Sequence, residues 1–314
     1  MQKNSSSQPQ SLRMSPTERN DLMAALEKSE QLASGIWWKR FFNAPLRFIY
    51  AVGSRSFLKP FLSQGINVKA FTFFTAEMAI RLPAATDIYL TGCKSHPSEI
   101  RLAKWMINNI QSGWAVMDIG AHFGYYTMLL QRLVGSNGKV IAFEPSPLAY
   151  EKLSANAGIE ANIVTCNLGV ISVTGKQLLA VRGVLGSESN SFSDLAGATT
   201  ILAATITLDD WVKEHGIIPK FIKADVEGGE WELIKGGEAL LSLYQPIIAM
   251  EIRRVHFEAA YYPAIEWLKA NRYKMYSLSA DGDLLYCPDA WTYLQGGNID
   301  SDNFLFMPKK GAEN

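Results

Sequence analysis

From about residue 87 onward, short apolar runs alternate with stretches of helical period. Strands are expected at Ala115–Ile119, Lys139–Glu144, Ala161–Leu168, Phe221–Val226, Ile247–Ile252 and Tyr273–Ser279, with Asn303–Met307 as a last edge strand. Helices are expected at Ser98–Ile110, Tyr125–Val134, Leu148–Ala157, Glu230–Leu241 and Pro263–Asn271. Strands separated in this way by helices bury their apolar faces in a mostly parallel sheet with helices on both sides. Residues 175–208 interrupt the pattern with two short strands and read as an insertion beside the sheet. At 48% hydrophobic and 19% charged residues, the chain has apolar material enough for a core of this size.

The N-terminal quarter is different. Residues 1–14 are polar and read as a disordered tail. Ser15, Pro16 and Glu18 then form a helix start: a capping Ser, a Pro suited to the first helical position and a Glu that closes a capping box. That helix runs through Leu22, Met23, Leu26 and Leu32 to a stop at Gly35. Residues 36–62 interleave Trp37, Trp38, Phe41, Phe42, Phe48, Tyr50, Phe57 and Phe61 with Lys39, Arg40, Arg47, Arg55 and Lys59, without one acid. Such a segment suits an interfacial helix on an anionic membrane. Aromatic stripes at helical spacing more often pack as core, so a helical arm folded onto the main domain is the favoured reading. Residues 15–70 are therefore expected to form a helical extension, and 71–314 the main domain.

Charge excludes some partners. Thirty basic and thirty acidic residues leave no global field for nucleic acid. Cys93, Cys166 and Cys287 are widely spaced and make neither a disulfide framework nor a CxxC metal knuckle, which suits a reducing compartment. The longest tempting run, Leu195–Leu208, is uncharged but too short to span a bilayer, and the first residues lack a secretory apolar core. A cytoplasmic location is expected, with peripheral membrane contact through 36–62 held open.

The most informative stretch is Val116–Thr127, VMDIGAHFGYYT. A buried strand runs through a glycine-containing turn into a helix, the place where ligands bind in open α/β sheets. Gly120 and Gly124 let backbone approach a ligand closely. Twenty residues after Gly124, a second strand ends in Glu144, where a carboxylate can accept both hydroxyls of a ribose. Dinucleotide sites use GxGxxG and place a pyrophosphate at the helix N-terminus. Here the pattern is Asp118-x-Gly-x-x-x-Gly, and Asp118 would repel phosphate. S-adenosylmethionine carries a sulfonium and an ammonium and no phosphate, so the same Asp becomes favourable.

Taken in order, DIGAHFGYYT, IAFEPSP, NLGV, TLDDW and FIKADVEGGEWELIKGG resemble the FkbM-type methyltransferases over about residues 87–253, with a weaker echo in DNFLFMP near the C-terminus. The resemblance implies a class I methyltransferase, Rossmann-like α/β fold built on a seven-stranded sheet, with S-adenosylmethionine as cofactor and a hydroxyl of a sugar, glycan, glycolipid or natural product as acceptor. It implies that Asp118, Gly120 and Gly124 line the methionine part, that Glu144 holds the ribose, that Asn167 lies near the adenine, and that His122 and Tyr125 belong to the same cofactor site. His122 stands where the family usually has Asn.

The second informative stretch is Phe221–Glu230, FIKADVEGGE. Residues two apart share a strand face, so Lys223, Asp225 and Glu227 can project together. Charges at a sheet's carboxyl end are costly unless paired or functional. A hydroxyl acceptor must lose its proton as the methyl arrives. Asp225 or Glu227 can take that proton, as can His256 beyond the Ile247–Ile252 strand; His96, His122 and His215 are further candidates. Two acids would also suit Mg²⁺, but no metal ligand is assigned and a required metal is not favoured. Arg253 and Arg254 suit an anionic acceptor, and Gly186–Phe192 suits part of an acceptor pocket. The alternatives are a binding protein that keeps the fold without transfer and, less favoured, a nicotinamide oxidoreductase.

Overall fold

A computed structural model of the chain describes residues 14–35, 37–53, 65–158, 160–182, 188–192, 198–255, 257 and 261–309. The expectations for residues 1–13, for 54–62 and for His256 lie outside those residues, as does most of Gly186–Phe192, where only backbone is described at 188–190.

The first helix, α1 (Pro16–Ser34), has the expected capping box: Ser15 Oγ accepts from Glu18 N, and Glu18 Oε2 accepts from Ser15 N. Two short helices follow, α2 (Trp37–Asn43) and α3 (Pro45–Gly53), then a hairpin of β1 (Ile66–Phe71) and β2 (Glu77–Leu82). Helices α4 (Thr86–Thr91) and α5 (Pro97–Asn109) lead into β3 (Ala115–Ile119), α6 (Tyr125–Val134), β4 (Lys139–Phe143), α7 (Pro147–Ala157) and β5 (Ile163–Cys166). An insertion comprises β6 (Gly169–Val170), β7 (Gly175–Arg182), β8 (Glu188–Ser191) and β9 (Thr199–Ile206), which form their own four-stranded sheet. The alternation resumes with α8 (Leu208–His215), β10 (Phe221–Ala224), α9 (Glu230–Gly236), α10 (Glu238–Tyr244), β11 (Ile247–Arg253) and α11 (Tyr262–Ala270). The chain closes with β12 (Tyr273–Leu278), β13 (Leu284–Tyr286), α12 (Ala290–Gly296) and β14 (Ser301–Pro308).

The main sheet has eight strands in the order β13-β12-β14-β11-β10-β3-β4-β5. The run from β11 to β5 is parallel, and β14 is antiparallel to both its neighbours. This is the class I methyltransferase-like α/β sheet, widened by the short hairpin strand β13. Strand alternation builds the two cores. Val116 and Phe221 join α1, α5 and α6 on one face, while Met117, Ile119, Ile222 and Ala224 join α8, α9 and α11 on the other. Strand order reverses between β3 and β10, which opens a crevice at their carboxyl ends.

Four expectations need correction. The strand at Asn303–Met307 is not at the edge. It lies between β11 and β12, and Phe304 and Phe306 feed one core while Leu305 feeds the other. Asp302, fully buried there, is held by Arg101 and by the Tyr293 hydroxyl. The N-terminal extension is not wholly helical, since residues 66–71 form β1. Nor is it uniformly a packed arm: Leu22 and Leu26 of α1 are core and Arg19 donates to the carbonyl of Ile110, but α2 buries no residue and α3 only Ala51. The helix expected at Glu230–Leu241 breaks at Gly236–Gly237, where a Cβ on Gly236 would stand 2.2 Å from the Ile171 carbonyl oxygen.

Candidate active site

The crevice at the carboxyl ends of β3, β4 and β10 holds a cavity of about 460 Å³, a volume usual for small-molecule and cofactor sites. Backbone ties its floor together. Gly120 N and Ala121 N donate to Phe143 O at 3.0 and 2.9 Å, and Asp225 N donates to Ile119 O at 3.0 Å. The turn after β3 needs three left-handed residues, Gly120 (φ +78°), His122 (φ +52°) and Gly124 (φ +86°). His adopts this conformation more readily than most side chains, so the turn accommodates His122. His122 lines the cavity, and burial, with the nearby Lys94 charge, lowers its imidazole to about 4. It is a neutral ring at physiological pH rather than a titrating one.

Glu144 follows β4 and lines the cavity while only 4% exposed. Its carboxylate accepts from two backbone N–H groups, Oε2 from His122 and Oε1 from Ser146, each at 2.9 Å. Burial pushes its carboxyl up to about 7, against the pull of those two donors. Tyr125 and Gly120 also line the cavity.

Three of the expected cofactor residues stand behind the wall. Asp118 is fully buried; its Oδ2 accepts from the Thr127 hydroxyl at 2.7 Å, and its Oδ1 takes no hydrogen bond and faces the Lys223 ammonium at 3.8 Å. The parallel register pairs Asp118 with Lys223, which puts both side chains on one face of the sheet. Gly124 packs against Leu153, whose Cδ1 would lie 2.8 Å from an added Cβ. Asn167 donates to the carbonyls of Glu144 and Pro145 at 2.8 and 3.2 Å, so it braces the loop that presents Glu144.

Lys223, Asp225 and Glu227 all line the cavity, as expected of the second motif. The Lys223 ammonium is 3.2 Å from Asp225 Oδ2 and 5.1 Å from the ring centre of Tyr126. Lys94 also approaches that ring at 5.1 Å and pairs with Glu99 at 3.1 Å. Burial alone would raise the Asp225 carboxyl; Lys223 and Lys94 reverse that and hold it well below the usual carboxylate range. Glu251, from the end of β11, hydrogen-bonds to Asp225 and is pushed well above its ordinary value by burial and by the Asp225 charge. Of the two carboxyls, Glu251 is therefore the one that holds a proton more readily. Glu227 ion-pairs with Arg253 at the rim. Asp225, Glu227 and Glu251 each bring a carboxylate oxygen within 4.8 Å of the others.

Lys94, Glu99, Tyr126 and Glu251 were not among the residues singled out in the sequence. Glu251 had the signal that marked Asp225, a charge at the carboxyl end of a buried strand. Lys94 had none, because it reaches the site from a loop between two helices. His96 lines the cavity with its ring Nδ1 2.7 Å from Ser98 Oγ. His215 stacks on Trp211 at the end of α8, apart from the cavity. Arg254 pairs with the exposed Asp300. From the insertion, Leu179 and Phe192 supply cavity wall.

The sequence pattern of the methyltransferase FkbM domain matches residues 118–275. A hexuronic acid methyltransferase of Haloferax volcanii, AglP, is 26% identical over 156 residues, 43% of this chain and 64% of its own length. The arginine biosynthesis bifunctional protein ArgJ of Geobacter sulfurreducens is 24% identical over 233 residues, 70% of this chain and 55% of its own. The chain thus spans less than two thirds of either relative. Among solved structures, an FkbM methyltransferase from Methylobacillus flagellatus aligns at TM-score 0.42 and 18% identity, over 71% of this chain and 52% of that one. An O-methyltransferase from Bacillus cereus in complex with SAH aligns at TM-score 0.38 and 12% identity, over 69% and 83%.

Proposed function

The chain belongs to the methyltransferase FkbM domain family, whose pattern covers half of it, and from that premise we propose that it transfers a methyl group from S-adenosylmethionine to an oxygen of a sugar-containing acceptor. The observation that carries the cofactor is Glu144. It is a carboxylate on the cavity wall, oriented by two N–H groups, with lone pairs left for a ribose diol. The hexuronic acid methyltransferase among the relatives supports the sugar. A nicotinamide cofactor is disfavoured by the carboxylates that crowd the crevice and by a turn without a third glycine.

S-adenosylmethionine, when bound, supplies an electrophilic methyl on a cationic sulfur. Glu144 would hold its ribose and the Gly120–His122 backbone its neighbourhood, with the neutral His122 ring adding no charge against the sulfonium. Asp225 is the carboxylate that remains ionised, so it accepts the hydrogen bond of the acceptor hydroxyl and orients that oxygen. As the new C–O bond forms, the hydroxyl becomes strongly acidic, and even a weak base such as Asp225 takes its proton. Proximity and alignment then supply most of the rate, and Glu251, hydrogen-bonded to Asp225, holds it in place. Within this scheme no step needs a metal ion: Arg253 offsets Glu227, and the lysines offset Asp225.

Calorimetric titration with S-adenosylhomocysteine tests the reading. A ribose diol favours the ionised carboxylate, so binding must expel the proton that Glu144 carries below about pH 7. Affinity is expected to rise about tenfold from pH 6 to pH 8. Glu144→Gln is expected to bind weakly at both values, with that slope gone. The linked stability runs the other way. Because the folded carboxyl sits above its ordinary 4.5, protonated Glu144 stabilises the free protein most below pH 4.5, and that contribution fades as pH rises through about 7. Binding of NADH in place of S-adenosylhomocysteine would overturn the cofactor. Labelled methyl entering phenols but no uronate-containing oligosaccharide would overturn the acceptor.

A further inference from the structure

The helices α2 and α3 carry an outward apolar face. Trp37 is 64% exposed, Phe42 73% and Leu46 83%, with Trp38, Ile49 and Tyr50 beside them. This is not a loose segment. Phe48 packs its ring at 6.2 Å from Trp37 and 5.8 Å from Phe41, which clasps the two helices together. Some of the aromatic residues therefore hold the pair, and the others face away from the protein. Contiguous exposed apolar surface of this kind marks an interaction site.

Charge says what covers it. Along α2 and α3 the charged residues are Lys39, Arg40 and Arg47, with no acid, while Lys69 further on is already paired with Glu77 at 2.6 Å. The chain as a whole is neutral, so everything outside α2 and α3 carries a net charge of −3. An anionic surface attracts this end of the protein and repels the rest, which fixes the orientation of approach as well as the attraction. Trp, Phe and Leu side chains interleaved with Lys and Arg fit the boundary between lipid headgroups and acyl chains. No described helix is long and apolar enough to cross a membrane.

We infer that α2 and α3 dock the protein on an anionic lipid surface. The docking face is joined to the cavity. The Arg47 guanidinium lies over the Tyr89 ring at 5.3 Å, and Tyr50 approaches the same ring at 6.5 Å. Tyr89 belongs to α4, whose neighbouring Asp87 and Ile88 line the cavity. Docking therefore brings one wall of the cavity to the bilayer, which suits a glycan acceptor carried on a lipid. That last step rests on the proposed transfer reaction; the docking itself does not.

Vesicle flotation of the full chain, read without turnover, tests the docking. Binding to vesicles of phosphatidylglycerol and phosphatidylcholine is expected to be at least tenfold stronger than to phosphatidylcholine alone, and to fall in 0.5 M salt. The double variant Phe42→Glu, Leu46→Glu alters two exposed side chains and is expected to lose at least tenfold in vesicle binding. It should keep wild-type S-adenosylhomocysteine affinity and melting temperature, which shows the fold intact. Equal binding to both vesicle types, no binding to either, or an unchanged double variant would overturn the inference. So would a wild-type dimer that the double variant dissolves and that ignores vesicles, because the face would then belong to a second copy. Failure of methyl transfer leaves these outcomes unaffected, so the two readings fail separately.

Discussion

Asp225→Asn is expected to lower kcat by about 10²–10⁴-fold while S-adenosylhomocysteine affinity changes by less than about threefold. The substitution keeps the size and shape of the side chain and removes the charge. Asn cannot take the hydroxyl proton, and its amide would offer a donor where the carboxylate offers two acceptor oxygens. It also leaves Lys223 without its partner at 3.2 Å and Glu251 without the neighbouring charge that helps to keep it protonated. The pH profile separates a base from a brace. Asp225 is held well below the usual carboxylate range, so the kcat of the wild-type protein should stay flat as pH falls to about 5, and its acid limb should appear only below that. A wild-type acid limb centred near 7 would assign the proton to another group. An Asn variant with near-normal kcat would remove Asp225 from the chemistry and leave it a partner of Lys223.

Much of this arrangement could be read from the residues in order. The strand at Ala115–Ile119 and the helix at Tyr125–Val134 are found where their apolar periods put them. A charged residue at the carboxyl end of a buried strand is costly unless it is used, and that rule found Lys223 and Asp225, both of which line the cavity. The same rule applied to β11 would have found Glu251. Other features depend on contacts that no local pattern encodes. Strand order is a property of the whole sheet, so a run such as Asn303–Met307 has the same sequence signature in the middle as at the edge. Its burial on both faces was the available clue, since Phe304, Leu305 and Phe306 follow one another without a polar break. Asp118 illustrates a finer limit. Its position at a strand tip was legible, but whether it points into the crevice or behind it depends on the register with β10, where Lys223 sits directly alongside. Lys94 enters from a loop and reaches Tyr126 across space, beyond anything a motif can state.

Gly120→Ala should be severely destabilising, and a second glycine provides its control. Both Gly120 (φ +78°) and Gly113 (φ +85°) occupy backbone that L side chains rarely adopt. A Cβ on Gly113 meets nothing within 4 Å, so Gly113→Ala reports the conformational cost alone, about 1 kcal/mol. A Cβ on Gly120 would stand 1.9 Å from the Asp225 carbonyl oxygen and 2.9 Å from its carbonyl carbon. Both contacts are backbone, so no side chain can swing away. Either the turn after β3 or the end of β10 must move, and both are pinned, the first by N–H donation to Phe143 O and the second by Asp225 N donation to Ile119 O. Gly120→Ala is therefore expected to cost about 3 kcal/mol or more and to lower the melting temperature by roughly 5–10 °C, against about 2–3 °C for Gly113→Ala. It should also lose S-adenosylhomocysteine binding at temperatures where it is still folded, because the turn that moves carries the N–H of His122 that orients Glu144. Thermal melts of the two variants, with titrations on each at 10 °C, check both parts. Equal losses of stability in the two would mean that the loops after β3 and β10 are not in the close contact on which the site depends.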